Sequence, residues 1–187
     1  MLRAFLALDL EDERTIMQIK EVQHKLIQSG ADIKLVPPNN LHFTIKFFGE
    51  ISVTLATKII DSLENAQFTP PHIIYKGMGL FPGPKRISVI WIGVDKNCRN
   101  DLLNVANIVE ERLKGIVSSD RRGFQPHITI SRVKSGRNRD QLLNVIKQYE
   151  NQTFGEETLF SLKLKKSDLT PKGPIYSDLH SFKFEVD

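Results

Sequence analysis

Two segments of the chain, one in each half, have nearly the same sequence. Residues 41–45 are Leu-His-Phe-Thr-Ile, and residues 126–130 are Pro-His-Ile-Thr-Ile. Both are apolar and β-prone, and on a strand the residues at i and i+2 point to the same face. Each segment therefore presents one imidazole and one hydroxyl side by side, with the intervening apolar residues packed behind. We expect the fold to bring these two strands together around a shared pocket.

Apolar periodicity and turn residues predict the remaining elements. The predicted strands lie at residues 3–9, 32–36, 41–48, 72–79, 86–94, 127–133, 157–165 and 174–185. The predicted helices lie at residues 11–29, at 53–66 after a Ser52 cap, from an Asn97 cap to about residue 114, and at 138–149. Residues 81–85 are predicted to be a loop between two strands.

The order of these elements predicts the fold class. No low-complexity linker divides the chain, and each half contributes one His-x-Thr strand. This pattern favours one domain over residues 1–187 with an α+β fold. We expect two pseudo-symmetric lobes, each an antiparallel sheet with flanking helices, that face each other across a central cleft.

Composition limits the partners and the compartment. The net charge of +4 permits an anionic partner such as RNA without establishing one. The single cysteine, Cys98, excludes an intrachain disulfide framework and a Cys-rich zinc site. The N-terminal apolar run is too short for a signal peptide, and no stretch approaches the roughly 18 apolar residues of a membrane span. We therefore expect a cytoplasmic protein without membrane association.

The two histidines of the repeated motif are the candidate catalytic residues. His42 and His127 each have a threonine, Thr44 or Thr129, two positions later. Because the ordinary histidine pKa is about 6.5, one ring can be neutral and the other protonated near neutral pH. One ring then takes a proton from water while the other donates one to a leaving oxygen, and the hydroxyls donate to phosphoryl oxygens. Such a site is suited to splitting a phosphate ester.

A zinc site is the competing interpretation of two histidines. Catalytic zinc sites typically use three protein ligands, and neither motif has a third candidate ligand nearby. Threonine is also a poor zinc ligand. We therefore expect acid–base catalysis with no metal and no cofactor.

Two basic residues follow the motifs. Lys46 is four residues after His42, so strand parity places it on the same face as the motif side chains. Arg132 is five residues after His127 and is expected on the opposite face unless a bulge turns it. Parity therefore favours Lys46 as the phosphate-binding cation.

Aromatic and basic residues elsewhere are candidates for RNA binding. Phe81 and Tyr176 can stack on a base or ribose at the mouth of the cleft, whereas Phe48 is assigned to the core. Two basic groups flank the second motif, and they either guide the RNA backbone or are solvated loop charges: Arg121 with Arg122, and Lys134 with Arg137 and Arg139.

These motifs resemble those of the 2H phosphoesterases, and among them the RNA 2′,3′-cyclic phosphodiesterases, also called 2′-5′ RNA ligases. The resemblance covers nearly the whole chain. Besides the two His-x-Thr motifs it includes residues 3–9, Arg-Ala-Phe-Leu-Ala-Leu-Asp, and the flanking residues 41–50 and 124–134. It also includes residues 169–176, Leu-Thr-Pro-Lys-Gly-Pro-Ile-Tyr.

The resemblance implies a bilobal α+β fold whose cleft holds the four motif side chains. It implies that RNA 2′,3′-cyclic phosphate ends are opened to 2′-phosphomonoesters. As partners we expect RNA with such ends, tRNA fragments included, and we expect the protein to be a monomer. His42 would donate a proton to the 3′ leaving oxygen and His127 would act as the base on water, although the residues alone leave the order open. The resemblance also favours Arg132 near the phosphate, against strand parity.

Three other functions stay open. The same site run in reverse would join a cyclic phosphate to a 5′-hydroxyl and form a 2′-5′ linkage. The chain has neither a Gly-x-x-x-x-Gly-Lys-[Ser/Thr] loop nor a Lys-x-Asp-Gly motif, which disfavours a nucleotide-activated ligase. The remaining alternatives are a cyclic phosphodiesterase for small nucleotides and a non-catalytic RNA-binding protein.

Overall fold

The computed structural model describes residues 1–119, 123–171 and 173–185. Its strands are β1 (Leu2–Asp9), β2 (Ile33–Leu35), β3 (His42–Ile51), β4 (His72–Gly83), β5 (Arg86–Val94), β6 (Ile128–Val133), β7 (Thr153–Thr158), β8 (Ser161–Thr170) and β9 (Gly173–Lys183). Its helices are α1 (Glu13–Gln28), α2 (Val53–Leu63), α3 (Arg99–Arg112) and α4 (Arg139–Gln148), with a short 3₁₀ turn at Pro38–Asn40.

The strands form one antiparallel sheet with two related halves. The order is β7-β4-β5-β6-β3-β1-β8-β9, and β2 pairs with β6 off this path. Strand β3 begins at the first motif histidine, and β6 directly follows the second. In the described residues these two strands are joined by one residue pair, Phe43 with Ile128. Four strands of this order therefore lie on either side of the join, which confirms the predicted α+β fold.

The helices connect the two halves. Helix α1 begins after Asp12, whose carboxylate accepts the Thr15 backbone N–H at 2.7 Å. It follows β1 but packs against β6 and β7 of the other half, whereas α3 follows β5 and packs against β3. Each half is thus covered by a helix that leaves a strand of the opposite half. None of the helices in the described residues is long and apolar enough to cross a membrane.

The apolar residues of the motif strands anchor them in the core. Phe43, Ile45, Ile128 and Ile130 are all buried. The ring of Phe43 stacks on Tyr75 of the other half, with 5.8 Å between ring centroids. Because each such side chain contributes about 1.5–3 kcal/mol when fully buried, the strands are held with their polar side chains facing away from the core.

The predicted single strand at residues 157–165 is wrong. The chain forms two strands there, β7 and β8, with a break at residues 159–160. Strand β7 is at one edge of the sheet, while β8 pairs with β1 in the other half. The break is where the chain crosses between the halves, and continuous β-prone sequence gives no signal for such a crossing.

Two local predictions also change. Strand β4 continues beyond residue 79, so Phe81 lies on a strand and the hairpin turn is at residues 84–85. The predicted Asn97 cap of α3 is wrong, because Cys98 precedes the helix and the Asn97 backbone N–H donates to Asp95 Oδ1 at 3.1 Å. The Asp95 carboxylate thus orders the turn before the helix.

Candidate active site

A cavity of about 870 Å³ lies between the two halves of the sheet and is lined by all four motif side chains. His42 and Thr44 come from β3, Thr129 comes from β6, and His127 directly precedes β6. Strands β1, β2, β8 and β9 supply other lining residues. The structure therefore brings together the two motifs that the sequence predicted to share a pocket.

Both imidazoles are held by the backbone in the same way. His42 Nδ1 is 2.8 Å from the carbonyl oxygen of Asn40, and His127 Nδ1 is 2.6 Å from that of Gln125. A carbonyl oxygen only accepts, so each Nδ1 carries its proton and donates it. In each ring this leaves Nε2 as the atom that gains or loses a proton.

Thr44 contacts the reactive nitrogen of its own motif. The Thr44 hydroxyl is 3.1 Å from His42 Nε2. With the His42 ring neutral, Nε2 is an acceptor and the hydroxyl donates to it. Once Nε2 is protonated it can no longer accept, so the hydroxyl is released to donate to another oxygen in the cavity.

Aromatic rings enclose His42 and lower its basicity. Phe5 and Tyr176 lie 5.1 and 5.5 Å from the ring of His42, between centroids. Burial lowers the pKa of His42 below its ordinary value, while the hydrogen bond to the Asn40 carbonyl and the negative charge of Asp9 act in the opposite direction. The ring is therefore neutral more often than an exposed histidine at the same pH.

A network of charges lies behind His42. Asp9 is the cross-strand partner of His42, and its carboxylate accepts from Lys165 at 2.7 Å and from Lys163 at 3.0 Å. Burial alone would raise the pKa of Asp9, but the hydrogen bonds and charges of the two lysines lower it. Asp9 is therefore an ionised neighbour of His42.

His127 has an aromatic surrounding of its own. Phe81 lies edge-on to His127 with 5.1 Å between centroids, and Trp91 lies 6.3 Å away. Burial again lowers the pKa, opposed by the hydrogen bond to the Gln125 carbonyl. Phe81 supports this ring but is not among the residues that line the cavity, whereas Tyr176 is. A role for Phe81 as a direct contact at the cleft mouth is therefore not favoured by its position.

A β-bulge follows the threonine in each motif. Ile45 of β3 has no cross-strand partner on β1, because its two neighbours pair with adjacent residues of β1. Ile130 of β6 likewise has no cross-strand partner on β5. An extra residue reverses strand parity beyond it. As a consequence Arg132 faces the cavity, which it lines, and the expectation from parity alone is wrong for this residue.

Lys46 is turned the other way by the same kind of bulge. It is buried, forms an ion pair with Glu110 of α3, and is not among the residues that line the cavity. The predicted position of Lys46 on the motif face is therefore wrong. Phe47, the next residue, takes the place in the cavity that parity assigned to Lys46.

We expect Lys46→Met to lower the free energy of unfolding by about 1–3 kcal/mol, because it leaves Glu110 partly buried without its cation. Urea unfolding would measure this loss. The double variant Lys46→Met with Glu110→Leu should recover part of it, since both buried charges are then absent. A large loss of activity with unchanged stability would instead return Lys46 to the active site.

Sequence reasoning missed several cavity residues, among them two cations and one exposed aromatic residue. Arg3, Lys34 and Phe47 line the cavity, and the guanidinium carbon of Arg3 lies 5.0 Å from the centroid of the Phe47 ring. Such a distance fits a cation–π contact. Their positions depend on the bulge in β3 and on the pairing of β2 with β6. The bulge in β3 accounts for Phe47, whereas the pairing of β2 with β6 that places Lys34 has no signal within the motif segments.

Other predicted residues lie outside the cavity or outside the described part of the chain. Phe48 is half-buried and packs against the core. The cluster of Lys134, Arg137 and Arg139 is exposed and is not among the lining residues. Residues 121–122 lie outside the described residues. In the described part of the chain, no three or more His, Cys, Asp or Glu side chains are grouped to hold a metal ion.

Comparisons with known proteins show the family of the chain. The family model for the AKAP7 2′5′ RNA ligase-like domain matches residues 4–184. The RNA 2′,3′-cyclic phosphodiesterase of Methanothermobacter thermautotrophicus is 35% identical over 183 residues, covering 97% of this chain and 98% of that protein. The protein of the same name from Methanocaldococcus jannaschii is 37% identical over 175 residues, covering 94% and 96%.

Solved structures share the fold. The crystal structure of TT0787 of Thermus thermophilus matches with a TM-score of 0.79 and 22% identity, covering 98% of both chains. That of E. coli LigT complexed with 3′-AMP matches with a TM-score of 0.75 and 20% identity, covering 98% of this chain and 97% of LigT.

Fold, paired motifs and relatives together define the class of protein, an enzyme of the 2H phosphoesterase type. Within this class, the chain belongs to the AKAP7 2′5′ RNA ligase-like family, which the sequence motifs had indicated. The assignment made from sequence is thereby confirmed.

Proposed function

We propose that the protein hydrolyses RNA 2′,3′-cyclic phosphate ends to 2′-phosphomonoesters without a metal ion. The observation that carries the proposal is the matched pair of imidazoles, each anchored through Nδ1 to a backbone carbonyl and each lining the same cavity. The names of the relatives, RNA 2′,3′-cyclic phosphodiesterase, support the choice of substrate.

The reaction needs one neutral and one protonated imidazole. Neutral His127 takes a proton from water at Nε2 while the water oxygen forms a bond to phosphorus. The bond from phosphorus to O3′ breaks, and protonated His42 donates its Nε2 proton to O3′. The product carries a 2′-phosphate and a 3′-hydroxyl, and the two rings have exchanged protonation states. Each of these proton transfers typically contributes about 10²–10⁴-fold to the rate.

The threonines and Arg132 stabilise charge on the phosphate. Once His42 is protonated, the Thr44 hydroxyl is free to donate to a non-bridging oxygen, and Thr129 serves the same role from β6. Arg132 lines the cavity and its charge acts on His42. A fixed donor or cation that faces developing charge stabilises the transition state more than the ground state.

The terminal nucleoside binds against aromatic surfaces of the cavity. Phe47 is an exposed aromatic residue on the lining, and Tyr176 lies beside His42. Base stacking on such rings is the usual way in which proteins bind single-stranded RNA. Stacking places the ribose, and hence the cyclic phosphate, between the two imidazoles.

Ligation would use the same groups. A 5′-hydroxyl in place of water would lose its proton to His127 as its oxygen bonds to phosphorus and forms a 2′-5′ linkage. The bond from phosphorus to O3′ would break, and His42 would donate its proton to O3′. The cyclic ester supplies the energy of the new bond. Ligation therefore stays the alternative reaction of the same site. The monomeric state and the cytoplasmic location of the protein remain predictions.

The pH dependence of kcat/KM should be bell-shaped, with its descending limb below about pH 6.5. Burial lowers the pKa values of both His42 and His127 below about 6.5, and kcat/KM reports the free enzyme. As the pH rises through the higher apparent pKa, the pair loses its single proton and with it the acid. The two limbs belong to the pair and not to either ring.

Initial rates with a cyclic phosphate substrate from pH 4.5 to pH 8.5 would measure this profile, with both limits chosen to bracket the ordinary pKa of about 6.5. A bound phosphate anion favours the imidazolium. The descending limb of the kcat profile should therefore lie at higher pH than the descending limb of the kcat/KM profile. A descending limb of kcat/KM above about pH 7.5 would contradict the neutral, buried state of the rings.

The proposed function is tested by incubating the protein with an RNA oligonucleotide that ends in a 2′,3′-cyclic phosphate, with EDTA present. A 2′-phosphate end is expected. A 3′-phosphate end would reverse the leaving group, and full dependence on added metal would overturn the mechanism. No reaction from folded protein would favour the small-nucleotide or binding alternatives.

A further inference from the structure

We propose that Lys34 binds a second phosphate of the substrate, the phosphodiester on the 5′ side of the terminal nucleotide, and thereby selects RNA ends over cyclic mononucleotides. This inference rests on the proposed function, because the second phosphate is defined relative to the one that reacts. It assigns a substrate class to the cavity through a residue outside both motifs.

The pairing of β2 places Lys34 beside the reacting groups. One edge of β6 pairs with β5. The other edge pairs with β3 at Ile128 and, farther toward the end of β6, with β2. Lys34 is directly opposite Arg132 in this antiparallel pair. Directly opposed residues share a face of the sheet, and both side chains line the cavity. The cavity wall thus continues from the histidines through Arg132 to Lys34.

Lys34 reaches across the cavity, whereas Arg132 acts at its centre. Gly173 belongs to β9, on the opposite wall of the cavity. The Lys34 ammonium lies 3.0 Å from the position that a Cβ atom at Gly173 would occupy. Gly173 has a φ of +133°, so a glycine suits both its backbone and the room that the ammonium occupies. Arg132, in contrast, exerts its charge on His42 and Tyr176.

The charge of the cavity favours more than one phosphate. Arg3, Lys34 and Arg132 line it, and none of the described lining residues is Asp or Glu. These three side chains give the cavity lining a positive charge, which attracts phosphate groups. A volume of about 870 Å³ is near the upper end of typical ligand pockets, about 300–1,000 Å³.

The substrate chemistry follows from these positions. A cyclic mononucleotide with a free 5′-hydroxyl brings one phosphate, which the histidines and Arg132 engage. An RNA end brings the next phosphodiester as well, and a lysine ammonium is a compact point charge suited to bind it. Discrimination therefore depends on the 5′ phosphate and not on the length of the RNA beyond it.

The test compares three substrates. They are adenosine 2′,3′-cyclic phosphate, the same compound with a 5′-phosphate, and a dinucleotide whose 3′-terminal residue is adenosine 2′,3′-cyclic phosphate. Wild type should give a higher kcat/KM for the two substrates with a second phosphate. Lys34→Met should lower kcat/KM for those two about ten- to a hundredfold more than for the first, the range for loss of a charged hydrogen bond. The difference should shrink at high salt.

Two further variants make the comparison specific. Lys34→Arg should restore most of the preference because it keeps the charge. Lys20→Met removes the same charge from the exposed face of α1, away from the cavity lining, and should leave the ratios unchanged.

Equal losses on all three substrates, or none, would overturn the role of Lys34 while the proposed function stands. No turnover of any substrate by wild type would overturn the proposed function and this inference with it.

Discussion

His127→Asn and His42→Asn should each lower kcat/KM for an RNA 2′,3′-cyclic phosphate by about 10²–10⁴-fold. An asparagine amide can still donate to the carbonyl that holds Nδ1, but it has no group that replaces Nε2 in proton transfer. The cost therefore falls on the chemical step. Steady-state kinetics would measure it, with far-UV circular dichroism and urea unfolding as checks of the fold.

The double variant separates a cooperating pair from two independent contributions. If one imidazole takes a proton while the other donates one, removing both should cost little more than removing either. His24→Asn, an exposed change on α1, is the matched control. Additive losses in the double variant, or retained activity in either single variant, would contradict the paired mechanism.

A change of leaving group assigns the two roles. A phosphodiester whose leaving group is a phenolate with a low pKa needs little protonation as it departs. Activity of His42→Asn on such a substrate should approach that of wild type, whereas His127→Asn should remain impaired because water still needs a base. The opposite pattern would exchange the acid and the base.

Thr129→Val and Thr44→Val should each lower kcat by about tenfold to 10³-fold, with a smaller change in KM. Valine keeps the shape and the β-propensity of threonine and removes only the hydroxyl. The loss is expected in kcat because a donor that faces developing charge acts mainly in the transition state. Kinetics with a cyclic phosphate substrate would measure it.

Thr153→Val, an exposed change on β7, is the matched control for both threonine variants. Thr44→Val has a second consequence, since it removes the hydroxyl that lies 3.1 Å from His42 Nε2. A neutral His42 loses its donor, so the pKa of His42 should rise and the descending limb of kcat/KM should move to higher pH. Loss of substrate affinity with unchanged kcat would assign the hydroxyls to binding alone.

The surroundings of the two histidines differ in their charged neighbours. Aromatic rings pack against both, but Asp9 acts electrostatically on His42 and is itself held ionised by Lys163 and Lys165. A carboxylate near an imidazole favours its protonated form. The charges of Lys165 and Arg132 oppose that of Asp9, and burial lowers the pKa of His42 as it does that of His127. The assignment of His42 as the acid therefore rests on the leaving-group experiment.

The sequence by itself predicted the four motif side chains that line the cavity. A histidine and a threonine two residues apart must share a face of a strand, and apolar residues between and beyond them must pack behind it. Those constraints are local, so His42, Thr44, His127 and Thr129 were identified without any knowledge of which strands pair. The α+β class followed in the same way from local periodicity.

Tertiary structure decided which cations accompany those groups. The bulges at Ile45 and Ile130 turn Lys46 into the core and Arg132 into the cavity, and the register that creates them depends on the neighbouring strands. Likewise, Lys34 reaches the cavity because β2 pairs with β6. Pairing between distant segments arises from the packing of the whole sheet, and residue order within one strand does not encode it.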